Sequence, residues 1–160
     1  MKVASISEIK KELKSRDPQE LLELCLRLGR FKKENKELLT YLLYESADER
    51  TYISSVKGEI EKEMKEVNKT QLYYARKNLR KILRMLDRFI RYSGNKETET
   101  ELRLCFCRGM IENNIPFERT KALRNIFDGQ TKKIRVAMKK LHEDIQFDIR
   151  SDLEDLLSSK

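Results

Sequence analysis

The side chains able to do chemistry are few, and their spacing decides what they can do. His142 is the only histidine among the 160 residues, so schemes that need two imidazoles are closed. Glu143 and Asp144 follow it directly rather than at the three- or four-residue spacing that puts ligands on one helix face. His142 therefore reads as a polar residue at the edge of a packed face. Cys105 and Cys107 stand two apart, which on a helix points their thiols in different directions, and Cys25 lies far from both. They read as small buried hydrophobes, not as a zinc or redox pair. Glu59 with Glu63, and Asp148 with Asp152, are carboxylates at four-residue spacing, but they sit among other charges and read as solvent-facing. No Gly-rich phosphate loop, nucleophile elbow or H-E-x-x-H pattern occurs. No catalytic residue, metal site or cofactor is expected.

What remains is positive charge in two places. Residues 69–94 carry eight basic side chains and one acid, and residues 116–142 carry eight and two, against a net charge of +8 for the whole chain. In the first stretch Lys77, Arg80, Lys81, Arg84, Arg88 and Arg91 fall opposite Leu72, Ala75, Leu79, Ile82, Leu83, Leu86, Phe89 and Ile90 at about 100° per residue. Tyr73, Tyr74 and Tyr92 flank the cationic side, where a ring beside a guanidinium could meet a base. In the second stretch Lys132, Lys133, Lys139 and Lys140 lie on the outer side of another helix. Repeated positive charge is what phosphate contacts require. The competing use is pairing with Glu59, Glu63 and Glu66 before the basic helix, or with Glu97, Glu99 and Glu101 after it.

These residues must be positioned by helices. Ser5 with Glu8 has capping-box spacing, and Asp17-Pro18-Gln19-Glu20 supplies an N-cap, a proline in the first turn and an acid. A second helix is expected over Pro18–Leu28 with Gly29 as its stop. The apolar segment Leu38 to Tyr44 predicts a third, central helix, and Thr51–Val67 a fourth. Gly58, inside the fourth, marks either a close helix contact or an exposed turn. The basic helix runs over 70–92 and ends at Gly94 in a left-handed cap, and another helix from Lys96 stops before Ile115-Pro116. A short helix over 117–127 ends or kinks at Asp128-Gly129, and from Gln130 the pattern is helical almost to the end, with a fraying last turn.

Two prolines, five glycines and no sustained alternation define an all-α chain. A hydrophobic share of 39%, equal to the charged share, suits helices that each bury one stripe. The expectation is a single all-helical domain over 1–160, with about seven to eight antiparallel helices joined by short connections. In architecture such helix pairs resemble the HEAT or armadillo class of α-α superhelices, and an irregular helix bundle is the alternative; no motif repeats at a fixed period. The absence of a leader or an apolar run of about 18 residues predicts a cytoplasmic protein that does not enter membranes, and the odd cysteine number predicts reduced thiols.

The function expected first is a non-enzymatic interaction module that binds a protein partner. The alternative is nucleic-acid binding through the basic faces of residues 76–91 and 132–140.

Overall fold

A computed structural model describes residues 1–158. Among these the chain forms eight α-helices and no strand: α1 (Ile6–Lys14), α2 (Pro18–Phe31), α3 (Lys33–Thr40), α4 (Glu49–Lys65), α5 (Leu72–Ser93), α6 (Lys96–Glu112), α7 (Lys121–Met138) and α8 (Glu143–Ser158). A π-type turn over Tyr41–Glu45 follows α3, and a single 3-10 turn, Phe117–Arg119, precedes α7. The helices gather into two compact units, Met1–Tyr44 and the chain from Glu45 onward.

In the first unit the capping box expected at Ser5 and the N-cap expected at Asp17 both form, the latter also as a capping box. Ser5 accepts from the Glu8 amide while the Glu8 carboxylate takes the Ser5 amide at 2.7 Å, and Asp17 and Glu20 do the same one helix later. These reciprocal bonds satisfy amides that have no partner inside the helix, which is why each helix starts where it does. Gly29, expected to stop α2, does not: the helix continues to Phe31, and Gly29 keeps a negative φ. A Cβ there would stand 2.9 Å from Leu39 Cδ1, so the glycine serves the close approach of α2 to α3. The apolar segment 38–44 is not a central helix either. Only Tyr41 is buried, while Leu42, Leu43 and Tyr44 are exposed, because the π-type turn interrupts the helical register just where the apolar run is densest.

In the second unit the centre is α6, which packs against α4, α5, α7 and α8. Neighbours on so many sides leave it little amphipathic character: Thr98, Thr100 and Arg103 are buried along with Leu102, Phe106, Cys107 and Met110. Its polar members are satisfied at once, since the Thr98 hydroxyl donates to Glu49 and that of Thr100 to the Glu97 carbonyl at 2.7 Å. α5 buries the stripe Ala75, Leu79, Ile82, Leu86 and Ile90, each fully buried leucine or isoleucine contributing about 1.5–3 kcal/mol. It ends at Gly94, whose φ of 68° is the left-handed cap the sequence predicts.

The last two helices divide elsewhere than expected. α7 passes through Asp128-Gly129 without a break, because Leu123, Phe127, Ile134 and Met138 keep one buried stripe across it. A mid-helix glycine costs about 1 kcal/mol, less than losing that stripe. The break falls at 139–142 instead, where α8 turns back to lay Ile149, Leu153 and Leu156 against α6 and α7. His142 stands at this turn, its carbonyl accepting from the Gln146 amide at 2.9 Å and its Nδ1 facing the Asp144 carboxylate at 3.3 Å. It is three-quarters exposed and starts a helix.

Candidate nucleic-acid interface

The basic side of α5 exists because its other side is buried. With Leu79, Ile82 and Leu86 held inside, the residues opposite must face water, and Lys77, Arg80, Lys81, Arg84 and Arg91 all lie on that side. Arg88 is half-buried, with its guanidinium 5.5 Å from the Phe89 ring. In α7 Lys132 and Lys133 are exposed, as are Lys139 and Lys140 just beyond its end.

The acids that could neutralise α5 are mostly turned elsewhere. Glu63 of α4 pairs with Lys81 at 2.8 Å. Glu97 and Glu101 of α6 reach α4 instead: Arg50 contacts both, at 3.2 and 3.0 Å, and Lys57 holds Glu101 at 2.6 Å. These pairs line a groove of about 980 Å³ between α4, α6 and α8. Its walls carry both signs of charge. The Cys105 thiol within it is pushed up to about 11, first by burial and then by Glu61, so it is protonated and unreactive at neutral pH.

The third acid of α6, Glu99, belongs to a cluster that no pattern in the sequence singles out. Arg103, almost wholly buried, holds Glu99 at 3.0 Å, Gln130 of α7 at 2.6 Å and Asp87 of α5 at 2.9 Å. One guanidinium thus joins three helices, hydrogen-bonding Glu99 and Gln130 and meeting Asp87 as an ion pair. Burial is the largest influence on Glu99 and pushes its carboxyl up, yet the bonds and charges of Lys96 and Arg103 together hold it below the ordinary carboxylate range. The clue was available in L-R-L-C-F-C, where an arginine sits between apolar neighbours, but helical spacing alone does not say which face is inside.

Asp87 also draws in the second basic segment, its Oδ1 lying 3.7 Å from Lys133 Nζ. The outer edges of α5 and α7 therefore meet at the only acid of α5. Arg84 and Arg91, three residues before and four after Asp87, share its side of the helix. Beside the junction, Lys96, Lys132, Lys133 and Lys140 line a groove of about 210 Å³ whose only acid is Glu99. Lys139 is not part of this gathering and faces a separate groove with Arg135 and Arg150 on the α8 side.

At the start of α5, Tyr73 and Tyr74 are exposed and meet edge to face at 5.4 Å, and the Arg76 guanidinium lies 5.7 Å from the Tyr73 ring. Tyr73 precedes Lys77 and Arg80 by four and seven residues, so its ring shares their face. Tyr92, the third flanking tyrosine, is half-buried and edge-on to Phe89, so its ring is engaged within the fold.

Among the described residues no group of three or more His, Cys, Asp or Glu side chains is arranged to hold a metal ion. No described helix is long and apolar enough to cross a membrane. No family model, no curated protein and no solved structure matches the chain.

Proposed function

We propose that the unit from Glu45 onward is a non-enzymatic nucleic-acid-binding module that grips phosphates with the outer sides of α5 and α7. The observation that carries this reading is the state of the cations. Lys77, Arg80, Arg84, Arg91, Lys132, Lys139 and Lys140 have no acidic partner among the described residues, while Lys81 and Lys133 are held in the ion pairs of Glu63 and Asp87. Exposed charges left unpaired and, Lys139 apart, gathered along neighbouring helices make a field that attracts a polyanion, and each phosphate neutralised releases counterions. The exposed Tyr73, with Arg76 over its ring, adds a stacking surface that favours single strands over duplex. For the architecture, α6 touches α4, α5, α7 and α8, helices one or two places away in the chain, which fits a HEAT-like stack of helix pairs as well as an irregular bundle around α6.

The test is binding of a labelled single-stranded oligonucleotide by fluorescence anisotropy, comparing the natural protein with Arg84→Glu/Arg91→Glu. The variant should lose affinity by about tenfold or more with unchanged helicity, each reversed charge removing at least one phosphate contact. Equal binding by both proteins would remove α5 from the interface.

A second reading has its own observation. The first unit exposes Ile6, Leu24, Leu28, Phe31 and Leu43 among other apolar side chains, which supports a role for this unit in binding a protein partner.

A further inference from the structure

The unit from Glu45 onward leaves few large apolar side chains on its surface: among its described residues they are Tyr73, Tyr74, Val136 and Phe147. Scattered singly, such side chains are ordinary. Here three of the four stand on the two basic helices, among the cations. On α5, Tyr73, Lys77, Arg80, Arg84, Asp87 and Arg91 follow one another at spacings of four and three residues, so they form one stripe. Cations fill it from Lys77 to Arg84, and then Asp87 interrupts it. At that point α7 comes alongside, with Lys133 Nζ 3.7 Å from the Asp87 carboxylate. On α7, Val136 is 56% exposed, with Lys132 four residues before it and Lys140 four after. Val136 and Ala137 are the apolar part of the lining of the 210 Å³ groove between α6 and α7. The carboxylate in that groove, Glu99, is held by Lys96 at 2.7 Å and by Arg103 at 3.0 Å, so the rim keeps a positive excess.

We infer that this groove receives one unstacked base of a single strand whose backbone runs along the α5 stripe, and this rests on the reading of the unit as a nucleic-acid-binding module. A groove with an apolar lining and a lysine rim suits a ligand that is flat and apolar in its body and anionic at its edges. A nucleotide within a strand is such a ligand: its ring lies on Val136, and the phosphates on either side of it meet Lys132 and Lys140. The volume, roughly seven waters at about 30 Å³ each, has room for one base and not for a stacked pair. Asp87 sets the crossing from α5 to α7. Its carboxylate repels a phosphate from the stripe at the point where Lys133 stands beside it and Lys132 and Lys140 lie beyond. At the other end of the stripe the exposed Tyr73 ring takes a second base. Tyr73 and Asp87 are fourteen residues apart, about 21 Å at 1.5 Å per residue, so the strand between the two sites holds up to about six nucleotides at the 3.4 Å step of a helical strand. A duplex, whose base faces are stacked on one another, offers neither site a ring.

Anisotropy titrations of the full chain with a single-stranded DNA of about twelve nucleotides, and with an abasic backbone of the same length, test this, because both strands carry the same phosphates. The natural protein should bind the base-bearing strand about tenfold tighter or more. Val136→Ser removes apolar surface and no charge at an exposed position, and the two residues have similar helix propensities, so helicity should not change. It should weaken binding of the base-bearing strand about fivefold, and leave the abasic strand and the salt slope as they are. Tyr73→Ala should weaken the base-bearing strand independently, so that in the double variant the two losses multiply. If Val136→Ser binds both strands as the natural protein does, or loses equally on both, the groove is not a base site; phosphate binding, and with it the reading of the unit, then stands. Binding of neither strand at low salt would overturn both. Polyglutamate that binds more tightly than the base-bearing strand, and is weakened by Val136→Ser, would also overturn both, in favour of an acidic protein.

Discussion

At the scale of single residues, Arg103 and the three cysteines make opposite use of burial. Arg103 is a buried charge whose neighbours would be stranded without it, so Arg103→Ala should destabilise the fold by about 3–5 kcal/mol in urea unfolding. A cost under about 1 kcal/mol would mean that water or another cation takes over Asp87, Glu99 and Gln130. Because the carboxyl of Glu99 is held below its unfolded value of 4.5, its contribution is complete above that pH and is lost as pH falls through the folded value. The thiols are inert by burial, except one. Cys25 is exposed, Cys105 half-buried and Cys107 buried, so a thiol reagent at about pH 8 should titrate one group quickly in the native protein and three after unfolding. Two fast thiols would contradict the placement of Cys105. With that thiol raised from 9.0 to about 11, the folded state holds a proton that the unfolded state releases, and stability should fall as pH rises across that interval.

At the scale of elements, the helix starts and the amphipathic stripes were legible in the sequence, because a cap or a stripe is a local fact. Ser5, Asp17 and Gly94 act where their types and neighbours say they should. Tertiary choices were not legible. Gly29 looked like a stop and is a point of close packing, and Asp128-Gly129 looked like a break yet lies inside α7, because neighbouring helices decide whether a weak position is worth keeping. α6 was legible as a helix from Lys96, but its central place was not, since spacing alone does not show that a helix is surrounded on several sides. The glycines offer a paired test of these assignments. Gly58 is exposed, and a methyl added to its Cα would meet nothing within 4 Å, so Gly58→Ala should stabilise the protein by about 0.5–1 kcal/mol. Gly94→Ala should destabilise it by about 1–2 kcal/mol, because the left-handed cap penalises a Cβ even in open space. Equal effects in thermal unfolding would mean that one of the two helical contexts is wrong.

At the scale of the molecule, charge was readable as location but not as pairing. The two basic segments stand out in the sequence, and their cations lie on the outer sides that the helical spacing predicts. What spacing cannot give is the partner of each acid. Glu97 and Glu101 are neighbours of α5 in the chain, yet they face Arg50 and Lys57 of α4 and not Lys77, Arg80, Arg84 or Arg91 of α5. The same separation leaves Asp87 as the point where Lys133 joins α7 to α5. The proposed protein contact and the proposed nucleic-acid contact thus fall on different parts of one chain, apolar surface in the first unit and cationic surface in the second.

The central claim is the proposal that Lys77, Arg80, Arg84 and Arg91 of α5 and Lys132 of α7 take phosphate, and the salt dependence of single-strand binding measures this most directly. Anisotropy titrations between about 50 and 200 mM salt should give a log–log slope of about −3 or steeper, the value for four or more phosphates neutralised on a single strand. Arg84→Glu/Arg91→Glu should flatten that slope. Absence of binding at the lowest salt, or binding with a slope near zero, would contradict the account and mean that this positive charge serves no polyanion.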